Sequence, residues 1–428
     1  MKTIKEVLTN NKKVIENYFF MTALQLLNSF FYLLIYPYVI RKVEMDAWGI
    51  FIFASSFAAY FIFIINFGFD LPATKKVAES THENNNLNKI FVQILYAKNL
   101  LFLITTALFI IFLITVPFFR TNKLLFILSY LQIYSYILVP QWFFQGIQNM
   151  RRITLIQFVT KILYLPFIFL LVKEPSDIYL YSFIITSTSL MGAVYIFIST
   201  IKEYKFKFCT ISASEIKLLL VEAQPFFFSS FAGTIKEYSI PIIIGSYLGM
   251  RDVAIYDLAN KIIIVPRVIF SSINAAIFPK LITNINDYVV KKILKYEYIL
   301  STIAIVLIVV FGKHAVKLLG GEEMSEAYFL SLFLSVTIMS WLVVGAYINF
   351  VFLPNNLQKE IVKNQTIAML SFFLICFAGM LFANKNIFIV GFAIAISGIL
   401  EILYCVYVTK KSLLLNSKQI MIKNKLHF

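Results

Sequence analysis

Two long apolar stretches hold charges where a membrane would bury them. The first, about 222 to 248, carries Lys236 and Glu237 near its middle; the second, about 253 to 279, carries Asp257, Lys261 and Arg267. Each such group at a bilayer centre costs roughly 2.5 to 3.5 kcal/mol even on a lenient insertion scale. Asp257, Asn260, Lys261, Ile264, Arg267, Ser271 and Asn274 recur at spacings of three and four, one helical stripe turned away from lipid. Lys236 and Glu237 are adjacent, so they point about 100° apart and each needs another partner. With Lys161 from an earlier stretch, four cations face two anions. A surplus of positive charge in a shielded place suits an anionic ligand, because ammonium and guanidinium groups bind phosphate oxygens well. The alternative is that Asp257 and Lys261, four residues apart, form an ordinary helix pair in a packed bundle. Glu237 and Asp257 are candidates either for balancing the lysines or for taking and releasing protons.

The elements that position these groups are helices in a membrane. Of 428 residues 60% are hydrophobic and 14% charged, against about 25% charged in soluble proteins. Apolar runs repeat along the chain, which predicts an all-α polytopic membrane protein. Twelve spans are expected, at about 18–40, 48–70, 98–119, 124–146, 153–172, 178–200, 222–248, 253–279, 297–312, 327–353, 365–384 and 387–409. Of the 38 Lys and Arg, 24 fall in segments on one side of these spans and nine on the other. That asymmetry accounts for the net charge of +16 without nucleic acid, and it predicts that both termini are cytoplasmic. Three cysteines and three histidines are scattered without ligand spacing, so no disulfide, metal or cofactor is expected. The segments between spans are too short for an active site on an external loop, and no catalytic residue or enzyme activity is expected.

Weaker polar stripes mark the first half: Thr22, Gln25, Ser29, Tyr32 and Tyr36; Ser55, Ala59, Asn66 and Asp70; Tyr130, Tyr134, Gln141 and Gln145; Thr154, Gln157, Lys161 and Tyr164. Residues 37–51 and 241–256 share an opening proline, a β-branched run, an aspartate in the turn and an aliphatic-aromatic start to the next helix. Such a repeat predicts two six-helix lobes, 1–207 and 208–428, around a central cavity.

The segments NYFFMTALQLLNSFFYLLIYPYVIRKVEMDAWGIFIFASSF, NFGFDLPATKKVAE, WFFQGIQNMRR and SYLGMRDVAIYDLANKI resemble the O-antigen flippases (Wzx) of the polysaccharide transporter family. That family sits within the multidrug/oligosaccharidyl-lipid/polysaccharide (MOP) exporter superfamily. The resemblance implies twelve helices in two lobes and transport of an undecaprenyl-pyrophosphate-linked oligosaccharide by alternating access in the bacterial cytoplasmic (inner) membrane. It implies Lys161, Lys236, Lys261 and Arg267 as a cationic cavity, with Asp70 as an acid at the end of the second span. Gln25, Gln141, Gln145 and Asn274 are candidates for sugar contacts. Expected partners are the lipid-linked substrate, membrane lipids, a proton or sodium counter-ion, and polysaccharide polymerase and chain-length proteins. Alternatives are a flippase for lipid II or another lipid-linked glycan, and a cation or drug antiporter of the same superfamily; the latter would need surplus carboxylates.

Overall fold

The computed structural model describes residues 12–81, 83–281, 287–382 and 385–425. Among them are twelve long α-helices: α1 Lys12–Lys42, α2 Met45–Asn66, α3 Asn84–Thr115, α4 Lys123–Leu138, α5 Met150–Leu171, α6 Ile178–Tyr204, α7 Ala213–Tyr247, α8 Met250–Leu281, α9 Asp287–Gly320, α10 Glu326–Tyr347, α11 Gln358–Phe382 and α12 Ile387–Lys425. Eleven are long and apolar enough to cross a membrane, α4 being counted together with the short helix that follows it to Gly146. The remaining one is α8, whose described part carries Asp257, Lys261 and Arg267. The protein is an all-helical, multi-pass membrane protein.

Several helices outrun their apolar stretches. The segment 71–97, read from the sequence as a connection, contains a short helix Asp70–Glu79 and the first turns of α3. The apolar run measures the hydrocarbon layer, and polar helix ends continue into the headgroups and water.

Two boundaries differ for local reasons that bear on the site. α2 stops at Asn66, because Phe67 and Gly68 turn left-handed at φ 42 and 74, and Asp70 opens a new helix. A carboxylate in a first helical turn is electrostatically favourable. Gly68 is needed for packing as well: a Cβ there would lie 2.6 Å from the Phe227 backbone nitrogen. α4 stops at Leu138, because Val139 precedes proline and is extended. Gln141 and Gln145 therefore ride on a separate short helix, Gln141–Gly146, out of register with Tyr130 and Tyr134.

The chain divides into two compact units. Unit 1 comprises Met1–Phe228 and Tyr238–Asp257; unit 2 comprises Ser229–Glu237 and Leu258–Phe428. In unit 1, α1 packs on α5, α2 on α3 and α4, and α6 on α4 and α5. Its core is aromatic: Phe57, Phe61, Phe109, Phe119, Phe126 and Tyr130 form a chain of ring contacts, the closest pairs at 4.2 Å. Ion pairs join its helix ends, Arg151 to Glu16, Arg152 to Glu203, Lys89 to Glu215 and Lys76 to Glu222. Exposed pairs of this kind contribute at most about 1 kcal/mol each. In unit 2, α10 packs on α9 and α12, and α11 on α12.

Candidate functional site

Unit 1 contains Gln25, Asp70, Gln141, Gln145, Lys161 and Asp257 of the sequence-predicted set. Unit 2 contains Lys236, Glu237, Lys261, Arg267 and Asn274. The Asn274 side chain lies outside the described residues.

Asp257 on α8 is buried, with 4% of its surface exposed. Tyr32 Oη on α1 donates to its Oδ2 at 2.5 Å, and Trp48 Nε1 on α2 donates to the same oxygen at 3.1 Å. Tyr36 packs on both donors, at 5.4 Å from the Tyr32 ring and 5.5 Å from Trp48, and Tyr181 of α6 closes on Trp48. Two neutral donors on two other helices thus meet one oxygen of this buried carboxylate, within an aromatic shell. Periodicity marked Tyr32 and Asp257 as polar positions, but it could not pair them across 225 residues.

Asp70 is half exposed, with 57% of its side chain accessible; Lys98 on α3 is buried and donates to Asn66 Oδ1 at 3.0 Å and Asp70 Oδ1 at 3.4 Å. Lys98 therefore closes the Asn66–Asp70 turn from inside. Tyr130, expected on a polar stripe, is a core residue: its hydroxyl meets Thr105 and Thr106 at 3.0 and 2.9 Å. Gln25 and Gln141 are exposed and Gln145 is half-buried.

Lys161 is half-buried on α5, with its amine 6.0 Å from the Phe31 ring centre. In unit 2, Lys236 on α7 pairs with Glu401 on α12, Nζ to Oε1 at 3.1 Å, with only 15% and 13% of the two side chains exposed. Glu237 is exposed. Lys261 is half-buried, and the Arg267 guanidinium lies 5.6 Å from the Trp341 ring centre on α10.

This geometry corrects the charge count. Glu401 sits in the membrane segment of α12 and was outside the set of two anions, as was Glu297 of α9, which is buried. With these two acids and the buried Lys98 added and the exposed Glu237 left out, five cations stand against three anions, and Lys236 has its own carboxylate. Glu401 was findable, as the only acid in the last apolar run, 387–409.

A family model for polysaccharide biosynthesis proteins matches residues 14–285. The chain belongs to this family. A curated member from Escherichia coli (strain K12), named "Putative O-antigen transporter", is 25% identical over 273 residues, 64% of this chain and 66% of that protein, just under two thirds of its length. Among solved structures, the chain is similar to the lipid II flippase MurJ in an inward closed conformation, with a TM-score of 0.69 at 14% identity over 93% of this chain and 87% of that one. It is also similar to an inward-facing multidrug resistance MATE family transporter of the MOP superfamily, with a TM-score of 0.66 at 13% identity over 91% and 95% of the chains. At such identities the likeness shows the fold alone.

Proposed function

We infer that this protein is a flippase that moves a lipid-linked oligosaccharide across the cytoplasmic membrane. The observation that carries the reading is the family match across unit 1 and into α8, together with ionisable groups built into the membrane segments of both units. The cargo is an undecaprenyl-pyrophosphate-linked repeat unit of O-antigen or capsule. Its anionic headgroup meets cations drawn from Lys161, Lys236, Lys261 and Arg267, and Gln25, Gln141, Gln145 and Asn274 are candidates for its sugars. Of the three expected acids, Asp257 is the best-placed candidate for counter-ion coupling, because it alone of the three is buried; Glu237 and Asp70 are too exposed to need a bound cation. Both termini are cytoplasmic in this reading, and polymerase and chain-length proteins act on the product.

The test is loss and rescue. A strain lacking this protein accumulates a lipid-linked glycan on the cytoplasmic face and lacks surface polysaccharide. Wild type restores it, and Lys261→Ala and Arg267→Ala do not, at equal membrane abundance. Normal surface polysaccharide in the deletion strain rejects the reading.

A further inference from the structure

Helix α10 is mostly packed, with twelve of its 22 residues buried. Its second half nevertheless leaves one stripe open. Trp341 is 43% exposed, a Cβ on Gly345 would meet nothing within 4 Å, and Asn349 is exposed. Spaced by four, the three lie along one line of the helix. Asn349 belongs to the π turn Ile348–Phe352 that extends α10, and such turns occur frequently at functional sites.

The stripe does not suit lipid. Trp341 lies eleven residues before the end of the apolar span Glu326–Phe352, roughly 16 Å at 1.5 Å per residue. An indole facing lipid belongs at headgroup depth, where its N–H finds water. Trp48 gives its N–H to Asp257, whereas Trp341 has no hydrogen-bond acceptor among the described residues. Phe329, an exposed apolar residue of α10, lies about 120° away round the helix. The Arg267 guanidinium, 5.6 Å from the Trp341 ring centre, decides the matter, because a group that stays charged is not set against hydrocarbon.

We propose that Trp341 is a stacking platform for a pyranose ring of the cargo, with the Arg267 guanidinium beside it and the Gly345 gap and Asn349 amide along the same stripe. One face of a pyranose presents C–H bonds, apolar and weakly positive, which match the negative face of an indole. The sugar hydroxyls then stay at the rim, where guanidinium and indole N–H groups donate and the amide both donates and accepts. Arg267 is also among the cations read above as meeting the headgroup, so the stacked ring is the first sugar, joined directly to the pyrophosphate. The inference rests on the flippase reading and adds to it a sugar subsite built within unit 2.

The experiment uses full-length protein in lipid vesicles and two probes, undecaprenyl pyrophosphate alone and the same lipid carrying one N-acetylglucosamine. Wild type binds the sugar-bearing lipid more tightly. Trp341→Ala lowers that gain about tenfold, the size of one lost stacking contact, and leaves binding of the bare lipid within about twofold. Trp341→Phe keeps a ring and most of the gain. Gly345→Leu fills the gap with the indole intact and loses the gain, which a purely structural role of Trp341 would not produce. Hydroxyl radicals generated in water oxidise Trp341, and the sugar-bearing lipid alone protects it. A gain kept by Trp341→Ala or by Gly345→Leu overturns the inference and leaves the flippase reading intact, as does a Trp341 that water-borne radicals never reach. Equal weakening of both lipids by Trp341→Ala also overturns it, by assigning the ring to the lipid or its phosphates. Failure of wild type to bind either lipid removes both readings.

Discussion

Lys236 and Glu401 face each other 3.1 Å apart on α7 and α12, both nearly out of solvent. Removing one partner strands the other charge, which in buried pairs costs about 3 to 5 kcal/mol; the residual exposure here places the expected cost near the low end. Lys236→Leu and Glu401→Leu therefore each lower the melting temperature in detergent, and the double variant recovers most of the loss. A double variant as unstable as the sum of the singles would show that the two side chains do not interact.

Asp257 accepts hydrogen bonds from Tyr32 and Trp48. Tyr32→Phe and Trp48→Phe each remove one donor to a charged acceptor, a loss of about 1.5 to 3 kcal/mol. Their thermal melts are expected to shift down, and Asp257→Asn in the Tyr32→Phe background is expected to add less than it does alone. Additive effects would place Asp257 in a different environment from the one described.

Gly49 lets α2 meet the first turn of α8, since a Cβ there would overlap the Met250 carbonyl. Gly49→Ala forces backbone apart and is expected to reduce the amount of folded protein in membranes. Gly345 in α10 has open space around it, and Gly345→Ala is expected to be neutral or stabilising by about 0.5 to 1 kcal/mol. Size-exclusion profiles of the two variants separate the outcomes.

A reporter fused after Lys411 is expected to be active only as a cytoplasmic fusion. The same reporter inserted at Lys173, between α5 and α6, is expected to score on the opposite face. Same-side scores for the two would reverse the reading of the Lys and Arg asymmetry.

Hydropathy made the number and type of helices readable, because burial in lipid imposes one rule on every span. It also located Asp257, Lys236 and Lys161, since a charge inside an apolar run is conspicuous. Partnership was harder to read. Tyr32 and Asp257 are joined across 225 residues, and no periodicity along a single helix encodes such a pairing. The break at Pro140 was signalled by the proline itself, yet a continuous apolar run concealed it and put Gln141 and Gln145 in the wrong register. Glu401 was overlooked although its signal was plain.

The chain contains three tryptophans. Trp48 touches the buried acid of unit 1 and Trp341 lies beneath Arg267 in unit 2. Indole emission responds to nearby charge, so replacing Trp142 with phenylalanine would leave one native fluorophore beside a charged group in each unit. Without any attached dye, the spectrum of that variant would follow the electrostatic state of both places as cargo or counter-ion is added.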